Sequence, residues 1–227
     1  MHIKLYDSQI QKIKQCLLSA HDVIGKDKYL NSAVLIPLIT IDGEQHILFQ
    51  KRAAGIRQAG EISFPGGQFN QHTDKSFEDT ALRETCEELG LASSQIELIG
   101  KFGTLVAPMG LTIDAFAGIL KLNSLSEINI DKVEVEKVFT IPLNFFINTE
   151  PEMFYSRLEI HSTDFDNDGN KIELLPVEKL GLPSLYSKPW RNGSYRVIVY
   201  HTKPDVIWGL TAEIIYEFSR LMKTEND

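Results

Sequence analysis

The stretch from Gly66 to Leu91 constrains this chain more than any other, because it joins a glycine pair to a short, highly acidic helix. It reads G-G-Q-F-N-Q-H-T-D-K-S-F-E-D-T-A-L-R-E-T-C-E-E-L-G-L. Ser76 is placed to cap the helix N-terminus, Asp79 completes a capping-box pattern, and Gly90 is placed to end the helix. At 3.6 residues per turn, Glu84, Glu87 and Glu88 fall within about 100° of arc. Leu82, Cys86 and Leu89 lie on the opposite side, flanked by Ala81 and Thr85. Like charges at i, i+4 cost a helix a few tenths of a kcal/mol each. Three together invite a cation, and hard divalent ions such as Mg2+ take oxygen ligands. The plain alternative is a solvated acidic face. Ser63-Phe64-Pro65-Gly66-Gly67 argues for more, since it reads as a strand ending followed by a tight turn. Glycines there let backbone groups approach a ligand closely.

The rest of the composition narrows the function by exclusion. A chain of 227 residues builds one good core or one domain with a small accessory. A net charge of −8 argues against a nucleic-acid backbone as the partner, which needs a basic surface. It leaves room for a small phosphorylated substrate, because metal ions and local arginines reverse the field where it matters. Two cysteines, Cys16 and Cys86, make neither a disulfide framework nor a thiolate zinc cluster. The six histidines show no ligand spacing, and no G-x-S-x-G elbow is present. No apolar run approaches the ~18 residues of a membrane span, and a cytoplasmic location is the default expectation.

Arg83-Glu84-Thr85-Cys86-Glu87-Glu88-Leu89-Gly90-Leu91 resembles the second half of the Nudix box, G-x5-E-x7-R-E-U-x-E-E-x-G-U, where U is a bulky apolar residue. The first half departs from it. Sixteen positions separate Gly67 from Arg83, two more than in the pattern, and Lys75 stands where the pattern has Glu, with Asp74 beside it. Upstream, Leu48-Phe49-Gln50-Lys51-Arg52-Ala53, Arg57, Gly60 and Phe64-Pro65-Gly66-Gly67 are similar to the coenzyme A diphosphatase signature, L-L-T-x-R-[SA]-x3-R-x3-G-x3-F-P-G-G. Only two residues stand between Arg57 and Gly60 where the signature has three. Downstream, Trp208-Gly209-Leu210-Thr211-Ala212 resembles the start of that subfamily's last helix.

The resemblance implies an α/β/α sandwich with a mixed β-sheet and a short acidic catalytic helix. It implies hydrolysis of a nucleoside-linked diphosphate with Mg2+ or Mn2+, and more narrowly of coenzyme A or acyl-CoA. By matching positions, Glu84, Glu87 and Glu88 ligate metal together with the Gly66 carbonyl, and Glu84 is a ligand or the base. Arg83 orients Glu87 through an i, i+4 ion pair. Glu134, with Glu136 in reserve, is the expected later carboxylate. Arg52, Arg57 and Gly67 are the expected substrate contacts, the arginines through charge-assisted hydrogen bonds to phosphate. Glu88 is expected to be exposed in the cleft. The rivals are another Nudix substrate, such as a nucleotide sugar or dinucleoside polyphosphate, and a silent ligand-binding module. A small diphosphate is thus the expected partner, with no nucleic acid, no membrane and a homodimer allowed.

Hydrophobic periodicity outlines the remaining elements. An amphipathic helix is expected over Asp7 to Ile24. Strands are expected over Ser32 to Thr40, His46 to Lys51, Ile96 to Val106, Ile113 to Leu122, Val133 to Phe139 and Tyr195 to His201, with a terminal helix over Thr211 to Lys223. Mixed strands and helices suggest α+β or α/β, in one domain over 1–227. Phe154 to Thr163 and Lys171 to Pro176 read as a hairpin around Asp166-Asn167-Asp168-Gly169, within an elaborated region at 150–192. Asp164 to Gly169 opens like a calcium loop, but Leu175 stands where Glu is required, so a polar turn is the better reading.

Overall fold

The computed structural model describes residues 10–12, 14, 23–203 and 205–224. The helix expected over Asp7 to Ile24 falls largely outside the described residues. The chain groups into two compact units, Met1–Asn144 and Phe145–Asp227, a division that the periodicity of the sequence does not mark.

The first unit is built on a mixed seven-stranded sheet. Its central strand, β1 (Leu30–Ile41), runs parallel to β6 (Leu111–Leu120) and antiparallel to β2 (Glu44–Arg52). β5 (Ile96–Ala107) extends the sheet beyond β6, while β3 (Ile62–Ser63) and β7 (Val135–Pro142) both pair with β2. The short β4 (Gly66–Gln68) pairs with the first half of β1. Ala33, Leu35, Ile36 and Ile39 of β1 are buried on both faces, as a covered central strand requires. Pro37 is tolerated there because of its position. The Leu35 N–H donates to the Pro65 carbonyl, so residue 37 turns the same way, into the gap between the β4 and β2 pairings. Its missing N–H leaves no ladder bond unmade. Asp42 and Gly43 both have positive φ, which gives the β1–β2 hairpin its expected tight turn.

The acidic helix, α1 (Phe77–Leu89), lies on this sheet. Its Ala81 and Leu89 pack with Ala33, Leu35, Ile39, Leu48, Phe116 and Leu120. Phe49, the neighbour of Leu48 on β2, points the other way and stacks with Phe64 at 5.2 Å and Phe139 at 5.9 Å. The sheet therefore buries apolar side chains on both faces.

A short helix, α2 (Leu143–Asn148), leads into the second unit. There β8 (Glu152–Ile160) and β12 (Val206–Trp208) flank β11 (Trp190–His201), all antiparallel. The closing helix, α3 (Gly209–Thr224), packs on β11 and begins at the glycine of the Trp208-Gly209 pair. Ile198, Tyr200, Ile207, Ala212 and Ile215 form its core. Arg196 on β11 bridges Glu213 and Glu217 on α3. The expected pairing of Phe154–Thr163 with Lys171–Pro176 is corrected here. The first of those segments joins β11, and the hairpin around Asp166–Gly169 shrinks to β9 (Thr163–Phe165) and β10 (Lys171–Glu173). Its turn is polar, with Asp166 accepting from the Asp168 and Asn170 N–H groups.

The α+β class and the mixed sheet match the expectation from sequence. Among the described residues, no helix is long and apolar enough to cross a membrane. Leu89 joins α1 to the sheet core and is fully buried. Leu89→Ala is expected to lower stability by about 3 kcal/mol in urea denaturation.

Candidate active site

The caps of α1 form largely as its sequence directs. Ser76 Oγ accepts from the Asp79 N–H at 3.1 Å, and Gly90 closes the helix in the left-handed region. The reciprocal arm lands one residue early, because Asp79 accepts from the Lys75 N–H and not from Ser76. The buried stripe of α1 runs through Thr80, Ala81, Thr85, Glu88 and Leu89, whereas Leu82 and Cys86 are only partly covered. The stripe is thus rotated from the one expected. Thr85 sits inside it by donating its hydroxyl to the Ala81 carbonyl at 2.6 Å.

This rotation separates the three glutamates. Glu87 is exposed. Glu84 lies at the rim with its side chain 16% exposed. Glu88 is only 3% exposed, which corrects the expectation that it stands open in the cleft. Its Oε2 accepts from the Gly66 N–H at 2.9 Å, so the helix is tied by a charged acceptor to the glycine turn. Burial pushes Glu88 up to about 7, and the Gly66 N–H works against that rise. Burial also raises Glu84, which Arg83 offsets, and the charges of Glu87 and Glu134 add to the rise.

The two glycines are needed for different reasons. A Cβ on Gly66 would sit 2.3 Å from the Ala33 carbonyl oxygen, so only glycine lets β4 lie against β1. A Cβ on Gly67 would sit 2.4 Å from the Glu84 carboxyl carbon. Gly67, expected as a substrate contact, is therefore first the seat of Glu84.

Arg83 does more than the expected i, i+4 pairing. It bonds Glu87 at 2.9 Å, pairs with Glu84 at 2.8 Å, and grips Asp74 through Nε at 2.8 Å and Nη2 at 3.0 Å. Asp74 is the residue that the sequence pattern does not single out. It is 4% exposed and also accepts from the Asn70 N–H and from the Thr73 and Thr80 hydroxyls. The Arg83 guanidinium holds its carboxyl well below the usual range. The available signal is its position beside Lys75, where the box pattern has Glu, within a segment longer by two residues. Residues 70–74 fold into a turn, the Asn70 carbonyl accepting from the Thr73 and Asp74 N–H groups, that presents the Asp74 carboxylate to Arg83.

Arg52 lies at the end of β2, near enough for its charge to favour ionised Glu88. Its Nε donates to the Arg57 carbonyl at 3.0 Å, and its backbone bonds Gly60 and Glu61. Arg52 thereby closes the 53–60 loop, while Arg57 is exposed on it. Glu134 sits beside this loop, its carbonyl accepting from the Ala53 N–H at 2.9 Å. Glu136 faces Lys51 instead, at 3.6 Å. An open cleft of about 550 Å³ lies between the 68–72 loop and the Arg83 and Glu84 side chains.

Among the described residues, no three His, Cys, Asp or Glu side chains converge on one point at ligating range. The donor chemistry nevertheless suits a hard divalent cation. Glu84 and Glu88 offer oxygen only, and the Glu84 charge adds to the upward shift of Glu88. A cation relieves such mutual repulsion.

A mixed sheet carrying a glycine turn, with a carboxylate-bearing helix tied to it, is the arrangement that the sequence resemblance implied. The NUDIX domain family model matches residues 30–144, which end where the first compact unit ends. The chain belongs to the Nudix family. It is 31% identical over 192 residues to a mitochondrial coenzyme A diphosphatase of Homo sapiens, covering 83% of this chain and 67% of that protein. It is 32% identical over 144 residues to a peroxisomal coenzyme A diphosphatase of Mus musculus, covering 62% and 59%. Nudix hydrolase 3 of Caenorhabditis elegans is 31% identical over 159 residues, 65% of each chain. The chain thus spans less than two thirds of the length of these last two relatives.

Two substitutions separate the roles in this site. Asp74→Asn is expected to lower stability by about 2 kcal/mol at neutral pH, from the loss of a charge-assisted pair. The folded pKa of Asp74 lies below its unfolded value, so its stabilisation is present above roughly pH 4 and is lost as pH falls further. The difference between wild type and Asp74→Asn should therefore narrow below that pH in thermal melts. Gly67→Ala meets only the end of a flexible side chain. Its melting temperature should stay near that of wild type while hydrolysis falls at least about tenfold, because Glu84 is displaced.

Proposed function

We propose that this chain is a metal-dependent hydrolase of nucleoside-linked diphosphates, with coenzyme A or an acyl-CoA as substrate. The observation that carries the proposal is the meeting of Glu84 and Glu88 at the Gly66–Gly67 turn, with Glu88 buried on the Gly66 N–H. Glu84, Glu87 and Glu88, with the Gly66 carbonyl, would hold Mg2+ or Mn2+, and Glu134 is the next carboxylate in reach of that field. Such an ion supplies charge neutralisation of the diphosphate and a more acidic water.

The chain's own residues do the rest. Glu84 is partly buried and raised by that burial, which suits a group that takes a proton from the attacking water. Arg83 holds Glu84 and Glu87 in place from its anchor on Asp74, so it acts as a positioning residue. Arg52 closes the 53–60 loop and Arg57 lies on it; both are the proposed contacts for the diphosphate or the nucleotide phosphate. Substitution at phosphorus is mostly positioning and electrostatics, so this set suffices without a covalent nucleophile.

The names of the human and mouse relatives support coenzyme A as the substrate. The shortened Arg57–Gly60 spacing favours a second reading, a nucleotide sugar or dinucleoside polyphosphate, because this loop would meet the nucleoside. A silent binding module is disfavoured by the retention of all three glutamates.

The test is incubation of purified protein with coenzyme A and Mg2+ or Mn2+, with products read by mass. The expected products are 3′,5′-ADP and 4′-phosphopantetheine. Cleavage of a nucleotide sugar or dinucleoside polyphosphate alone would replace the substrate and keep the chemistry. Glu88→Gln should lose hydrolysis by at least about a thousandfold while keeping a cooperative melt, since its amide can still accept from Gly66. Near-normal turnover in that variant would discard the site assignment.

A further inference from the structure

Strand β2 presents Leu48, Gln50 and Arg52 alternately toward α1. Leu48 packs with Ala81 and Leu89, and Arg52 acts on Glu88 through its charge. Between them Gln50 is fully buried. Among the described residues, neither its amide nitrogen nor its amide oxygen has a hydrogen-bond partner. A buried amide left this way opposes folding, whereas an apolar side chain would fill the place without that penalty. Gln50 pairs across the sheet with Ser63, three residues before the Gly66 that holds Glu88, and its side chain lies near enough to the Glu88 carboxylate to favour the ionised form. The Glu88 carboxylate in turn accepts from the Gly66 N–H on Oε2. The L-L-T opening of the coenzyme A diphosphatase signature reads Leu48-Phe49-Gln50 here, so a longer donor stands where the signature has a hydroxyl.

We propose that Gln50 is a positioning residue for the cation site: its carboxamide steadies the Glu88 carboxylate from beneath, so that the carboxylate meets the cleft in a ligating orientation. The proposal rests on reading the cleft as a divalent-cation site. Gln50 touches neither substrate nor cation; it acts through Glu88. Groups of this kind around a metal ligand typically change metal affinity or activity about 10–100-fold when removed.

The test uses the full chain and Mn2+ as the probe, with free Mn2+ read by electron paramagnetic resonance. Gln50→Met removes the donor at similar length, and Gln50→Thr keeps one. Melts in metal-free buffer should show Gln50→Met at least as stable as wild type. Its Mn2+ dissociation constant should rise about tenfold or more, with kcat reduced and KM for the diphosphate substrate within about twofold. Gln50→Thr should stay within about threefold of wild type in Mn2+ affinity, as a retained donor predicts. Should Gln50→Met not fold, Gln50→Thr against its isostere Gln50→Val makes the same comparison. Equal Mn2+ affinity in wild type and Gln50→Met, or equal loss in the Thr and apolar variants, overturns the assignment. Wild-type protein that binds no Mn2+ overturns the reading of the cleft, and the role of Gln50 with it.

Discussion

The hydrogen bond from the Gly66 N–H to the buried Glu88 carboxylate is the contact on which the rest of the site depends. It ties the last turn of α1 to the edge of β4, and β4 is in turn seated on β1. Each part of that chain has a steric condition. Gly66 must lack a Cβ for β4 to approach Ala33, and Gly67 must lack one for Glu84 to lie over the turn. Once Glu88 is anchored, the helical rise carries Glu84 to the cleft rim and leaves Glu87 in solvent.

An ionisable group at position 88 opposes the stability of the core it occupies. Burial pushes Glu88 toward its neutral form, and the Gly66 N–H, Gln50 and the charge of Arg52 work against that. A leucine there would suit packing better. Natural folds break local rules of this kind mainly at functional sites and compensate nearby. Here the compensation sits on β2, whose side chains facing α1 pass from apolar Leu48 through Gln50 to cationic Arg52. The middle of α1 is held differently, by the paired hydrogen bonds between Arg83 and Asp74. One arginine thus links the two-residue insertion to the glutamates of the helix.

Much of this architecture is legible in the amino-acid sequence. Ser76 and Gly90 bound α1 because capping is chemistry between near neighbours, and Asp42-Gly43 predicts its turn for the same reason. The strands of the first unit follow from apolar runs between turn residues. The burial of Glu88 is not legible there, because a helical wheel gives angles between side chains and not the direction in which the sheet lies. Asp74 is hidden because a two-residue insertion breaks the box spacing, and spacing is all that a pattern reads. The partner of β8 escapes sequence reasoning because β11 lies some thirty residues further on, and strand pairing at that distance leaves no local trace.

The sequence by itself determined the caps of α1, the strands of the first unit in outline and the family, since these rest on local backbone preference and on residue type. Only the tertiary structure decided which glutamate is buried, which aspartate holds Arg83, and which amide lies beneath the site. Those outcomes depend on how α1 is rotated against β1, β2 and β4. That rotation is a compromise among non-local contacts: Leu89 and Ala81 seeking the core, Glu88 seeking an N–H, and Arg83 seeking Asp74.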